Sequence, residues 1–400
     1  MNTVTSVKVL SKEEFREKTL EVFIGCMRYE LTGKRLEYEL IELIDSKMLG
    51  ILLRLSADHD VVAFIADALA EHGVIDDKSE IGKRFIGLMY KSVIRYDEMN
   101  SLANRISDEL EKNEIPHVKL KGETLGRYYP NPKYRKSCDI DILVDKEMLD
   151  KAADVLCSIG LQRGRMGSHD IGFSDSNGNK VELHYTLIED SFSFFDISER
   201  VIENTFLLDG RRYTYELTPQ MKYAYIVAHT AKHFKFGGCG MRSLSDLYVC
   251  KRAHIEELAE IDKMLERYGI AQFEKGFSEL AYVWFEQGEK SEFTDQMTFF
   301  VLRGGVFGTK EQMIAVRRGK ENKLTYYRKR IFLPYVELKQ LYPKLDKRPY
   351  LTPAYELYRW ITALSDRKRS RAIRREIKLQ SDISDADFKQ AEELCRHLGI

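Results

Sequence analysis

The 400-residue sequence predicts an α+β protein, a small β-sheet core flanked by an N-terminal and a C-terminal helical region. Three observations predict it. Apolar residues recur at helical spacing through residues 1–115 and again through 218–400. Between them, residues 116–217 carry short apolar or alternating runs cut by Pro, Asn and Gly, the pattern of strands and turns. The joins carry helix signals: Pro116 ends one helix, and Thr218-Pro219 starts another as N-cap and first residue. With 44% hydrophobic and 32% charged residues and no low-complexity tract, the chain has the material for an ordinary globular core.

In the first region, helices are expected over 15–27, 36–55, 60–72 and 81–113. In the last of these Phe85, Leu88, Val93, Ile94, Met99, Leu102, Ile106 and Leu110 mark one apolar side. No residue pattern there points to chemistry, so 1–115 reads as a scaffold.

The central region, 116–217, reads as a strand at 118–120, a helical turn at 123–129 and a loop through Tyr129-Pro130-Asn131-Pro132. A strand follows at 138–144, then an amphipathic helix over 146–159 closed by Gly160. Strands at 161–163, 171–174 and 180–187 complete it, the last two joined by a Ser176-Asn177-Gly178-Asn179 hairpin turn. Asp139 and Asp141 alternate with Ile140 and Ile142, so the two acids share a strand face, roughly 7 Å apart. Acids on a solvated strand face need no explanation, but this strand continues as Ile142-Leu143-Val144 and belongs inside a sheet. Two such carboxylates repel unless a cation lies between them, and carboxylates with substrate phosphates are how Mg2+ is usually held. The stretch therefore reads as a metal-dependent phosphate-handling site. In the last strand Glu182 and His184 share one face and Val181, Leu183 and Tyr185 the other. Glu182 is thus a third acid within reach if the strands are neighbours, and His184 a partner for it or a contact to the site.

Residues 218–400 return to helices. His229 and His233 lie one turn apart, but Thr230 stands where a zinc protease needs Glu, which rejects that reading. The Gly237-Gly238-Cys239-Gly240 cluster follows a helix and not a strand, so it is no dinucleotide fingerprint. Arg242 and Asp246 lie four apart on the next helix and are spaced to pair with each other. Further helices are expected over 247–254, 255–268 and 273–285, with a turn-rich loop at 304–308. Basic runs occur at 317–320, 326–330 and 367–378, the last at amphipathic helical spacing. Residues 301–400 carry about 23 Lys and Arg against 12 Asp and Glu, although the whole chain is formally neutral. Six scattered cysteines without a Cys-x-x-Cys pair, no secretory leader and no apolar run near the roughly 18 residues of a membrane span lead to the expectation of a soluble cytoplasmic protein.

Taken together, Lys121-Gly122, Tyr129-Pro130, Arg135, the Asp139 to Val144 strand and Val181-Glu182-Leu183-His184 resemble the uncharacterised nucleotidyltransferase family of the polymerase-beta-like nucleotidyltransferase superfamily. The His229 to His233 helix with Arg242 and Asp246, the Gly305-Val306-Phe307-Gly308 loop and Phe332-Leu333-Pro334 before Tyr342-Pro343 extend the resemblance from about residue 85 onward. It implies a short mixed sheet with Asp139 and Asp141 on one strand and Glu182 on a nearby one, the three acting as catalytic and metal-holding acids. Lys121 and Gly122 fall at the superfamily's phosphate-contacting turn, and Arg135 and Ser137 precede the acids, so these four are expected to bind nucleotide. Glu123 follows Gly122 where many members have Ser; Lys121 or Ser137 is expected to stand in. His184, His229, His233, Arg242 and Asp246 are expected near the cleft mouth.

The resemblance implies a Mg2+-dependent enzyme, two ions expected, that moves an NMP group from an NTP (ATP the expected donor) to a hydroxyl of a small-molecule or protein acceptor, releasing pyrophosphate. Two alternatives remain open: a toxin-like enzyme acting on RNA or tRNA through the basic C-terminal region, and an inactive nucleotide-binding member. No membrane partner is expected.

Overall fold

The computed structural model describes residues 11–167, 169–188, 201–306, 308–318, 328, 332–345, 347–365, 379 and 383–400. Among them, seven strands form one mixed sheet flanked by helices, so the α+β class holds. The strands are β1 His117–Lys119, β2 Asp139–Val144, β3 Gln162–Met166, β4 Asp170–Ser174, β5 Lys180–His184, β6 Thr205–Leu207 and β7 Thr214–Leu217, in spatial order β3-β4-β5-β2-β1-β7-β6. β2 runs parallel to β5 and antiparallel to β1, and β1 runs parallel to β7.

Before the sheet come α1 Lys12–Thr32, α2 Tyr38–Glu42, α3 Ser46–Asp58, α4 Val62–Glu71 and α5 Glu80–Lys112. Within it lie α6 Glu123–Gly126 and α7 Leu149–Ser158. After it come α8 Pro219–Lys235, α9 Met241–Ala253, α10 Leu258–Arg267, α11 Ala271–Glu286, α12 Glu292–Gly304, α13 Lys310–Arg318, α14 Tyr335–Leu341, α15 Thr352–Ser365 and α16 Asp385–Leu398.

The sheet has two unlike faces because its strands alternate. Ile140, Ile142 and Val144 of β2 with Val181 and Leu183 of β5 pack under α7 and the C-terminal half of α5. The opposite face carries the acids at one end, while Val118, Leu143 and Leu217 join a larger core. That core is shared: α1 and α4 contribute Phe23 and Phe64, and α8 and α11 contribute Phe234 and Trp284, to one cluster. Arg28 of α1 also donates to the Trp284 carbonyl at 2.8 Å. The two helical regions therefore pack on each other as well as on the sheet.

The structure departs from the sequence reading at several elements. The single helix expected over 36–55 is two, because Asp45 caps α3 by accepting from the Met48 N–H at 2.7 Å. Ile94 is 57% exposed and not on a buried stripe; α5 crosses open surface between its two packed ends, and Ser92 is its sole fully buried residue from 86 to 98. The helix stops at Lys112, ahead of Pro116, with Glu114 in a left-handed conformation (φ 57°). β3 is longer than expected and wholly exposed, as an edge strand can be. The strand expected to reach 187 ends at His184. β6 and β7 were not expected at all. The hairpin turn is as read: Gly178 takes φ 80° and the Asp175 carboxylate accepts from the Asn177 and Asn179 N–H groups. The basic helix expected over 367–378, and most of the runs at 317–320 and 326–330, lie outside the described residues.

Candidate active site

Parallel pairing of β2 with β5 sets Asp141 opposite Glu182 and Leu143 opposite His184. Because side chains alternate, Asp139, Asp141, Glu182 and His184 all leave the same face. Asp139, Glu182 and His184 form the floor of a cavity of about 680 Å3, with Asp141 directly beneath. α8 supplies the opposite wall with His229 and His233, and α9 contributes Arg242 and Asp246. Thr218 starts α8 as its N-cap, accepting from the Met221 N–H, which fixes the phase of the two histidines.

The floor is strongly charged. Asp141 is buried, with Oδ2 2.9 Å from the Lys121 ammonium and Oδ1 accepting from His184 Nε2 at 3.0 Å. Burial disfavours its charge, but Lys121 and His184 more than offset this and hold the carboxyl below the usual range. Burial likewise opposes a charged His184, and the hydrogen bonds to Asp141 and Glu182 outweigh it, raising the imidazole to about 9. The Glu182 carboxyl, 3.5 Å from His184 Nε2, is lowered chiefly by that hydrogen bond. Asp139 moves the other way: burial and the neighbouring Asp141 charge raise it.

The wall is electrically different. Lys121 donates to His229 Nε2 at 2.8 Å, and an ammonium has no lone pair, so that nitrogen accepts and the His229 proton sits on Nδ1. His233 Nε2 lies 3.3 Å from the same atom. Burial, then the Lys121 charge, push His229 well below the ordinary range and His233 to about 3, so both are neutral. His169, beside β4, is similarly lowered to about 3 by burial and by Lys232, whose ammonium lies 3.4 Å from its Nε2.

On the side where the chain enters β2, two arginines are tied down. Arg135 is buried and donates through Nε and Nη2 to the two oxygens of Asp246 at 2.9 and 2.8 Å. Tyr129 also donates to Asp246, at 2.7 Å. The expected Arg242–Asp246 pair is therefore not formed. Arg242 instead meets Asp60 Oδ2 at 2.7 Å, and Lys136 meets the other Asp60 oxygen at 3.1 Å. A tertiary fork to Arg135 satisfies Asp246 better than a one-turn neighbour on its own helix.

Of the residues singled out from sequence, Lys121, Arg135, Ser137, Asp139, Glu182, His184, His229, His233, Arg242 and Asp246 line this one cavity, and Asp141 lies beneath it. The Ser137 hydroxyl is turned to the Asp139 carbonyl at 2.9 Å. Gly122 does not line the cavity; it takes φ 74° and its carbonyl accepts from Gly126 N–H at 2.9 Å to start α6. Sequence reasoning missed Asp60, His169 and Lys232. Lys232 could have been found, since it lies one turn from His229; Asp60 carries no local signal.

The donor set fits a divalent cation. Ligand atoms of Asp141, Glu182 and His184 lie within 4.8 Å of one another. A charged His184 donates and does not ligate, so carboxylate oxygens remain, which suit hard cations. The Asp139 carboxyl is raised first by burial and then by the Asp141 charge beside it, and a cation between the two carboxylates would relieve that repulsion.

A carboxylate floor beneath basic and imidazole walls, on a small mixed sheet, is a build suited to phosphate-ester chemistry. A family model described as an uncharacterised nucleotidyltransferase matches residues 49–286, and the chain belongs to that family. Membership supports a general nucleotidyl-transfer activity with an NTP as substrate, and divalent metals are typical of such enzymes. No curated protein and no solved structure matches the chain. Among the described residues no helix is long and apolar enough to cross a membrane.

Proposed function

We propose that the protein is a Mg2+-dependent nucleotidyltransferase that moves an NMP group from an NTP, ATP the expected donor, to a hydroxyl of a small-molecule or protein acceptor. The observation that carries this reading is the in-register Asp141 and Glu182 pair, with Asp139 beside it, at the floor of a cation-walled cavity. Asp139, Asp141 and Glu182 would hold the metal, which supplies charge neutralisation on the phosphates and acidification of the acceptor hydroxyl.

The chain's own groups divide the remaining work. Asp141, with a side chain 0% exposed and paired on both oxygens, is an anchor and not a base. The Glu182 side chain is 36% exposed and borders the cavity, so it takes the acceptor proton. The acceptor oxygen attacks the α-phosphorus, the bond to the bridging oxygen of the β-phosphate breaks, and pyrophosphate leaves with that electron pair. Lys121 and Arg135 offset charge on the phosphates. Neutral His229 and His233 leave Lys121 and Lys232 as the cations that α8 and the Lys121 turn present to the cavity.

The test is calorimetric titration of each NTP with Mg2+ into the wild type and into an Asp139→Ala, Asp141→Ala double variant, followed by a pyrophosphate-release screen over acceptors. Metal-dependent binding of one nucleotide, lost in the variant, is the expected result. Equal binding by both proteins, or none by the wild type, would sink the proposal.

A further inference from the structure

Two guanidinium groups on the cavity wall hold nitrogens with nothing to bond. Arg135 is 4% exposed and spends Nε and Nη2 on Asp246, while its buried Nη1 has no partner among the described residues. Arg242 bonds through Nη1 alone, to Asp60 Oδ2 at 2.7 Å, the Lys136 carbonyl at 3.3 Å and Cys138 Sγ at 3.6 Å. Its Nε and Nη2 make no bond among the described residues. The two side chains line the same cavity beside Asp139 and are near enough for the Arg135 charge to act against that of Arg242. Arg135 is held along one edge by the Asp246 carboxylate, and Arg242 is held at Nη1 by Asp60. Two like charges pinned together with free donors call for an anion, and planar forks suit phosphate oxygens.

Asp60 is itself firmly held. It sits between α3 and α4 at φ 57°, a conformation that costs a non-glycine residue free energy and persists only where its surroundings impose it. The surroundings are visible: Val306 N–H donates to the Asp58 carbonyl at 2.9 Å, and Met241 N–H donates to His59 Nδ1 at 3.0 Å. His59 Nε2 lies 3.2 Å from the Leu302 carbonyl. The start of α9 and the end of α12 thus grip this elbow, which belongs to the region whose sequence offered no chemistry.

We propose that Arg135 and Arg242 form a twin-guanidinium subsite for the polyphosphate tail of the donor nucleotide, and that Asp60 is the positioning residue that aims Arg242 into it. This rests on the nucleotidyl-transfer reading above. The subsite lies beside Asp139, where the α-phosphate would react, which suits the leaving tail better than the base.

The test is calorimetry with inorganic tripolyphosphate without metal, and with NTP and the matching NMP in Mg2+. Arg242→Gln is expected to weaken tripolyphosphate and NTP about tenfold and leave NMP nearly unchanged. Asp60→Asn, which Asn's tolerance of positive φ should let fold, is expected to weaken the same two ligands several-fold. A merely structural role would weaken all three. If that variant melts early, Asp60→Gly, at ease at the same φ, replaces it. Tripolyphosphate binding as tight as wild type in Arg242→Gln overturns the subsite, and in a folded Asp60 variant it overturns the positioning role. NTP binding that is lost in the Asp139, Asp141 double variant but kept in Arg242→Gln would leave the transfer reading standing without the subsite. Arg242-dependent tripolyphosphate binding with no metal-dependent NTP binding would do the reverse. A wild type that binds neither overturns both.

Discussion

The Lys121 ammonium lies 2.9 Å from Asp141 Oδ2 and, on its other side, 2.8 Å from His229 Nε2. One buried cation thereby joins the acid floor to the imidazole wall. Removing one partner of a buried pair leaves the other charge uncompensated, which costs about 3–5 kcal/mol. Lys121→Met should therefore lower the melting temperature markedly. Because Asp141 is then short of positive charge, millimolar Mg2+ should raise the variant's melting temperature more than the wild type's. Equal shifts in the two proteins would show that no cation competes for this place.

Glu182 and Asp141 should respond differently to loss of charge. Glu182 is partly exposed and Asp141 is not. Glu182→Gln should leave the melting temperature within a few degrees and lower transfer at least ~100-fold, in the range of a lost general base. Asp141→Asn should lower both, since Lys121 and His184 lose the charge that holds them. Pyrophosphate release and thermal melts on the same preparations check the contrast. Glu182→Gln with wild-type turnover would remove Glu182 from the chemistry.

A pH effect is expected far from the cleft. Burial, with the nearby charges of Asp67 and Glu71, raises Glu30 to about 8, and its Oε1 is buried without a hydrogen-bond partner among the described residues. A raised carboxyl binds a proton in the folded state that the unfolded chain has released, so stability falls as pH rises. The contribution is complete below the ordinary carboxyl value near 4.5 and is lost through about 8. Glu30→Gln should flatten denaturation midpoints between pH 5 and 9, a gain of ~2 kcal/mol at the alkaline end after allowance for solvent access. An unchanged slope would place the proton elsewhere.

Two glycines should give opposite results as alanine. A Cβ on Gly240 would lie 2.7 Å from His59 Nδ1 and 2.8 Å from the Gly305 carbonyl carbon, so the elbow contact must open. Gly240→Ala should cost about 1–3 kcal/mol, as overpacking does. Gly50 lies within α3 with nothing near its Cβ position, and Gly50→Ala should stabilise by about 0.5–1 kcal/mol through helix propensity. Urea denaturation of both variants reads the difference; a neutral Gly240→Ala would mean that the elbow is loosely held.

Much of the sheet and of the acid floor was legible because its signals are local. Asp139 and Asp141 stand at two-residue spacing ahead of an apolar run, and Asn177-Gly178 marks the turn that returns Glu182 and His184 to the same face. β6 and β7 are too short for alternation to show, and the turn signal between them, Asp209-Gly210 with Gly210 at φ 73°, was the cue that sequence reasoning missed. The break before α3 was readable in principle, from Asp45 as a cap. The partners of Arg242 and Asp246 were not: helical spacing suggested that they pair, while Asp60 and Arg135 reach them across 182 and 111 residues. No local rule reports such contacts, because they depend on how finished helices dock.

The grip of Val306 and Met241 on the Asp58 to Asp60 elbow also sets an order of events at the ribosome. Asp60 emerges first, and Arg242 follows 182 residues later. At about 5–20 residues per second the two are apart for roughly 10–40 s. The acid strands and the α8 wall can form in that interval, but Arg242 cannot yet reach the elbow. A nascent chain therefore carries a cleft that lacks Arg242 until α9 emerges, and the elbow is then gripped in two steps, by Met241 first and by Val306 after it.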